Sequence, residues 1–153
     1  MIEAKFLITE ESGRVARWLR LMGYDAVLAA TKPLSELYQR AYREARIVVT
    51  RNSQVSASCL FRVIQLRSVN RDEQLRQILQ ETGVGIDEQR AFSRCDQCNV
   101  VLQEAPKAEV QDQVPPYVFS TQERFHSCPA CGRIYWAATH WQRARELFDT
   151  LKT

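Results

Sequence analysis

Apolar residues in this chain fall into short blocks, and between the blocks they recur at every third or fourth position. Lys5-Phe-Leu-Ile8 is one such block and predicts a first buried strand. From Gly13 to Met22, residues Val15, Trp18, Leu19 and Met22 fall on one side at helical spacing, and Arg17 and Arg20 fall on the other. Gly23 then ends that helix. Ala26-Val-Leu28 predicts a second strand. Pro33 suits the first turn of a helix running to about Glu44, with Leu34, Leu37, Tyr38 and Ala41 inward. Ile47-Val-Val-Thr50 is β-branched throughout and predicts a strand covered on both faces. Ser53 to Leu60 predicts a short helix that carries Cys59 as a small buried thiol. Phe61 to Leu66 predicts another strand. Asp72 to Thr82 predicts a helix with Leu75, Ile78 and Leu79 inward, closed by Gly83 and Gly85.

Strands alternating with helices imply a parallel sheet with helices on both faces. Sites in such folds lie at the carboxyl ends of the strands. Here those ends are Thr9-Glu10-Glu11, the loop 29–31, Arg51-Asn52 and Arg67-Ser68.

Past Gly85 the alternation stops and cysteine takes over. Cys95-Asp-Gln-Cys98 is answered by Cys128-Pro-Ala-Cys131, with 29 residues between the pairs. Two residues between thiolates let one tight knuckle place both sulfurs on a single ion. Two knuckles make a closed tetrahedral sulfur site, which suits structural zinc. Two disulfides or a redox dithiol are the competing readings. A disulfide framework leaves Cys59 without a partner, and a redox motif does not explain a second pair. A filled site of four thiolates has no open position for water, so its expected role is folding and shape. The insert from Val100 to Phe125, with Pro106, Pro115 and Pro116, reads as an extended excursion between the knuckles. Ile134-Tyr-Trp136 predicts a strand. Thr139 and Gln142 make a capping-box pattern for a last helix running to about Leu151.

With 153 residues, 45% hydrophobic and 25% charged, the chain suits one globular domain or one domain plus a metal-stapled module. No apolar run approaches the ~20 residues that cross a bilayer, so no membrane partner is expected. The opening Met1-Ile-Glu-Ala-Lys5 shows no signal-peptide pattern, and a cytoplasmic setting is expected. The net charge of +3 says less than its distribution. From Gly13 to Arg71 stand eleven basic residues (Arg14, Arg17, Arg20, Lys32, Arg40, Arg43, Arg46, Arg51, Arg62, Arg67 and Arg71) against three acids (Asp25, Glu36 and Glu44). The planar fork of arginine suits phosphate, so this surplus points to a polyanion-binding face, RNA or DNA; an ordinary solvated surface is the plainer reading.

The order of motifs carries a resemblance. Lys5-Phe-Leu, Gly13-Arg-Val-Ala-Arg-Trp-Leu-Arg-Leu-Met-Gly-Tyr-Asp25, Arg46-Ile-Val-Val-Thr-Arg51, Glu73-Gln-Leu75, Phe92-Ser-Arg-Cys-Asp-Gln-Cys98, Val114-Pro-Pro116 and Cys128-Pro-Ala-Cys-Gly-Arg-Ile-Tyr-Trp136, with His140-Trp141, run nearly the whole length. The set resembles the Mut-seven C-terminal RNase domain family. The resemblance implies a PIN-like α/β domain over residues 1–90, a parallel sheet flanked by helices. A small zinc ribbon with a C-terminal helix follows over residues 91–153. It also implies a metal-dependent ribonuclease in RNA processing, with clustered carboxylates holding Mg²⁺ or Mn²⁺ to activate water.

This chain departs from the family's pattern where that metal would bind. Thr9 stands where an aspartate usually follows the first strand, Asn52 where one follows the Thr-Arg of the third, and Leu34 where an acid usually opens the second helix. Ser68-Val-Asn70 stands where acids often follow the fourth strand. Threonine and asparagine are neutral and do not supply the charge a hard cation requires. The expected function is therefore RNA binding, to single-stranded RNA, with cleavage impaired. Arg14, Arg17, Arg20 and Arg51 would contact phosphates, and Arg133, Tyr135, Trp136, His140 and Arg143 of the ribbon would add stacking or phosphate contact. Packing of the ribbon on the last helix is the simpler role for Trp136 and Trp141. One alternative is an active ribonuclease using Glu10, Glu11 and Asp72, which alone would call for Mg²⁺ or Mn²⁺. Another is a protein-interaction module with a protein partner at Val114-Pro-Pro116.

Overall fold

The strand Lys5–Thr9 (β1) lies inside the main sheet, which the computed structural model builds in the order β2-β1-β3-β4. Here β2 is Asp25–Ala29, β3 is Ile47–Thr50 and β4 is Val63–Gln65, and every pairing is parallel. The structure describes residues 3–137 and 139–152, without the side chains of Thr139 and His140. The Thr139 cap and the His140 contact expected above lie outside the described residues.

Successive residues of a strand point to opposite faces, and the helices divide accordingly. Phe6 and Ile8 of β1, with Val49 and Ile64, face Val15 and Leu19 of α1 (Gly13–Leu21) and Leu75 and Ile78 of α3 (Arg71–Thr82). Leu7 and Val48 face the other way, onto Leu37 and Ala41 of α2 (Leu34–Arg43). Each valine, leucine, isoleucine or phenylalanine side chain taken fully from water contributes about 1.5–3 kcal/mol. Asn70 caps α3 by accepting from the amides of Asp72 and Glu73, and Gly83 ends it at a φ of 74°. The α/β sheet flanked by helices is the fold the sequence predicted.

Two expectations fail locally. Residues 53–60 form turns and a bridge between Ser58 and Phe61, not a helix. The Asn52 side chain accepts from the Gln54 amide and the Ser58 hydroxyl from the Leu60 amide. Such local bonds offer the backbone an alternative to helix. Cys59, expected to be buried, is exposed on this turn. The insert between the knuckles is not simply extended either. It contributes β5 (Gln103–Ala105), two single 3₁₀ turns and α4 (Pro116–Thr121), with Pro116 in the first helical turn. Val110, Val114, Val118 and Phe125 gather there into a small core of their own. Strand β5 pairs antiparallel with β6 (Phe125–Ser127), and β6 with β7 (Ile134–Tyr135).

The two parts meet tightly. Phe92, and Ala144, Phe148 and Leu151 of α5 (Thr139–Lys152), join the apolar cluster of α1 and α3. The Phe92 amide donates to the Leu21 carbonyl at 2.7 Å. At Gly23, where φ is 94°, an added Cβ would lie 2.3 Å from the Arg90 carbonyl oxygen. Only glycine serves both the turn and the close approach.

Candidate functional site

Two places bring chemistry together. The first is the carboxyl edge of the sheet. β1 and β3 run side by side with Ile8 opposite Val49, so Thr9 and Thr50 end the two strands as neighbours. Both are fully buried, and their hydroxyl oxygens lie 2.9 Å apart. Each donates to the same oxygen of Glu11, Oε1, the Thr50 bond being 3.0 Å, and the Arg51 amide donates to it at 3.1 Å. Burial raises the Glu11 carboxyl, but the donors from Thr9, Arg51 and Thr50 outweigh it and hold the pKa below the usual carboxylate value. The Asn52 amide closes the loop on the Thr50 hydroxyl at 3.0 Å.

The remaining sequence candidates lie around this edge without converging. Glu10 is exposed. One oxygen of Asp72, at the start of α3, takes the Arg71 Nε at 2.8 Å. The Asn52 side chain is used in its own turn, and Leu34 packs on Leu7 and Val48. Among the described residues, Glu10, Glu11 and Asp72 form no cluster of three ligand atoms.

The second place is the pair of knuckles. The sulfurs of Cys95, Cys98, Cys128 and Cys131 all lie within 4.8 Å of one another, and all four are free thiols. The knuckles repeat one geometry. Asn99 donates to the Cys95 carbonyl at 2.9 Å and Gly132 to that of Cys128 at 2.8 Å, with φ of 65° and 75°. The Cys95 amide donates to the Val100 carbonyl and the Cys128 amide to that of Arg133. The Cys98 amide also points at the Cys95 sulfur at 3.3 Å, and that of Ala130 at the Cys128 sulfur at 3.4 Å. Hydrogen bonding with Cys131, then burial, then hydrogen bonding with Cys95 and Cys128 push the Cys98 thiol up to about 12. Thiolates packed this closely need a cation among them, and four sulfurs at this spacing could hold a metal ion such as zinc.

A chain of bonds joins the knuckle to the main sheet. The Tyr135 hydroxyl lies 3.0 Å from the Cys95 sulfur and donates to Asp96 Oδ1 at 2.8 Å. Arg17 Nε donates to Asp96 Oδ2 at 2.8 Å. Burial raises the Asp96 carboxyl, and the bonds from Arg17 and Tyr135 outweigh it, leaving the pKa lowered. Arg20 donates to the carbonyls of Ala26 and Asp96 at 2.8 and 3.1 Å. Asn99 Nδ2 donates to Asp25 Oδ1 at 2.7 Å, and Arg46 donates to both oxygens of that carboxylate, to Oδ1 at 2.8 Å and to Oδ2 at 3.3 Å.

These bonds thin the basic surplus read from the sequence. Arg17 and Arg20 hold the knuckle, Arg46 is buried between Asp25 and Glu44, and Arg62 binds the Glu81 carbonyl. Arg14 and Arg51, at the carboxyl edge, are exposed with no side-chain partner among the described residues, as are Arg133 and Arg143 of the ribbon. Three members of these networks have no distinct signal in the sequence. Thr50 reads only as strand, Asp96 only as a spacer between cysteines, and Tyr135 only as a stacking candidate. Asp96 is the findable one, because a carboxylate beside a thiolate ligand must be neutralised.

A family model described as Mut7-C RNAse domain matches residues 4–148. No curated protein and no solved structure matches the chain.

Proposed function

We propose that this chain, which belongs to the Mut7-C RNAse domain family, is an RNA-binding protein of RNA processing whose cleavage chemistry is impaired. Membership supports a ribonuclease-like or RNA-related function. The finer reading rests on one observation: the Glu11 oxygen at the ends of β1 and β3 is taken by two hydroxyls and an amide of the protein itself. A carboxylate so satisfied has less to gain from a cation, and neutral Thr9 and Asn52 add no charge for one. Arg14 and Arg51 remain free there for phosphate, and single-stranded RNA is the proposed ligand. Zinc on the four thiolates is proposed as a fold-forming ion, and a reducing, cytoplasmic setting would keep those thiols available.

The test uses zinc-loaded protein and an end-labelled single-stranded RNA, with Mn²⁺, Mg²⁺ or EDTA, over a salt series. Salt-sensitive binding without cleavage is the expected result, because phosphate contacts release counterions. Cleavage that requires added metal and disappears in Glu10→Gln or Asp72→Asn would replace this reading with an active ribonuclease.

A further inference from the structure

A cleft of about 450 Å³ lies beside the first knuckle, between α1 and β7, on a different part of the molecule from the carboxyl edge. Its walls include the Arg17–Asp96 pair, Tyr135 and Trp141. These groups are already committed. The Tyr135 hydroxyl is bound to Asp96, and Trp141 stacks on Phe92 with ring centres 4.7 Å apart. Two further lining groups each keep an unused polar group among the described residues, although Trp136 also packs on the small core of the ribbon. Arg133 is exposed with no side-chain partner, and Trp136 is half-buried against Phe125 with its indole N–H unused among the described residues.

We infer that this cleft is a nucleotide subsite, taking one base of single-stranded RNA against Trp136 with a neighbouring phosphate on Arg133. The inference rests on the RNA-binding reading above and deepens it, giving the ribbon residues Arg133 and Trp136 one defined subsite. The volume lies in the range of small-ligand sites. The Arg17–Asp96 pair cancels its own charge, so Arg133 carries the net charge among the residues that line the cleft and suits phosphate. An aromatic face beside a free cation meets both halves of a nucleotide, because every base has a π face and every link a charge. An acidic peptide would satisfy Arg133 but give Trp136 nothing to stack on.

The experiment compares two probes on the zinc-loaded full chain: a labelled oligouridine, and an abasic ribose-phosphate chain of the same length. Trp136→Ala is expected to weaken oligouridine ~10-fold or more and to leave the abasic probe unchanged, with Trp136→Phe restoring most of the loss. Arg133→Ala, on an exposed side chain with no partner, keeps the test open if Trp136→Ala fails to fold. It is expected to weaken both probes and to reduce the salt slope by about 0.7. Oligouridine affinity that is unchanged in Arg133→Ala and in folded Trp136→Ala, while Arg51→Ala lowers it, would overturn the cleft and leave RNA binding at the carboxyl edge. No binding of oligouridine by the parent at low salt would overturn both readings. Poly-glutamate binding that depends on Trp136 as oligouridine binding was expected to would assign the cleft to a protein partner and overturn it too.

Discussion

The carboxyl edge of the sheet and the cysteine knuckles are both places where ligand-type atoms gather, yet they solve the problem of charge in opposite ways. At the knuckles four sulfurs lie within 4.8 Å, and the donors that reach them among the described residues are the Tyr135 hydroxyl and two long amide contacts. At the edge, a single carboxylate oxygen receives three protein donors. Where ligands outnumber donors, a cation is required to hold the arrangement. Where donors match the ligand, the protein's own hydroxyls and amide satisfy the carboxylate. On the reading proposed above, the difference separates four sulfurs that could hold a metal ion from a carboxylate that has less to gain from one.

The largest effect that could break this contrast is loss of the knuckle ion. Cys128→Ser is expected to lower bound zinc from one per chain to none, read by native mass spectrometry, and to melt the ribbon. Structural zinc in small domains contributes on the order of 10 kcal/mol of folding free energy. The same measurement on Glu11→Gln should leave the zinc count unchanged.

Next comes the bond chain between the regions. Asp96→Asn removes a buried carboxylate that pairs Arg17 and accepts from Tyr135. Because Arg17 is itself half-exposed, the expected loss is ~1–3 kcal/mol, below that of a fully buried pair. Denaturant unfolding would read it, and Arg17→Ala should add little on top of it, since the two share one interaction.

A smaller effect is pH dependence. Asp96, Asp25 and Glu11 all titrate lower in the folded chain than their ordinary values of 3.8, 3.8 and 4.5. Their contribution is fully present above those ordinary values and is lost as pH falls through the lowered folded ones. The part of the unfolding midpoint that these carboxylates carry should therefore hold steady down to about pH 4.5 and fall below it, on top of the pH dependence of thiolate-bound zinc. Asp96→Asn should flatten part of that fall. The smallest effect concerns the edge as an RNA surface: Arg51→Ala should weaken RNA binding across sequences and reduce the salt slope by about 0.7 for one lost phosphate contact.

Much of this contrast is legible in the order of the residues. The continuous apolar runs assign Phe6, Ile8, Leu7 and Val48 to strands covered on both faces, and the cysteine spacing carries the knuckles by itself. Thr9 and Asn52 are neutral in the sequence, so the low charge of the edge is legible there too. Sequence does not show that Thr50 stands beside Thr9, because that depends on the parallel register of strands some forty residues apart. Nor does it show that Arg17 and Arg20 turn toward Asp96 and Gln97. A helix face of arginine reads the same whether it meets solvent or a knuckle eighty residues on. The stretch at 53–60 departs from the expected helix for a local reason, since Asn52 and Ser58 bond their own backbone and release the turn from helix.

The most direct test of the contrast is a Mn²⁺ titration of the zinc-loaded protein, followed by the electron paramagnetic resonance of the free ion and repeated on Glu11→Gln and on the Thr9→Asp, Asn52→Asp double variant. The account predicts that the parent and Glu11→Gln leave Mn²⁺ free at micromolar concentrations, while the double variant takes it up as charge returns to the edge. Tight Mn²⁺ uptake by the parent that Glu11→Gln abolishes would contradict it, and would mean that the three donors on Glu11 yield to a metal after all.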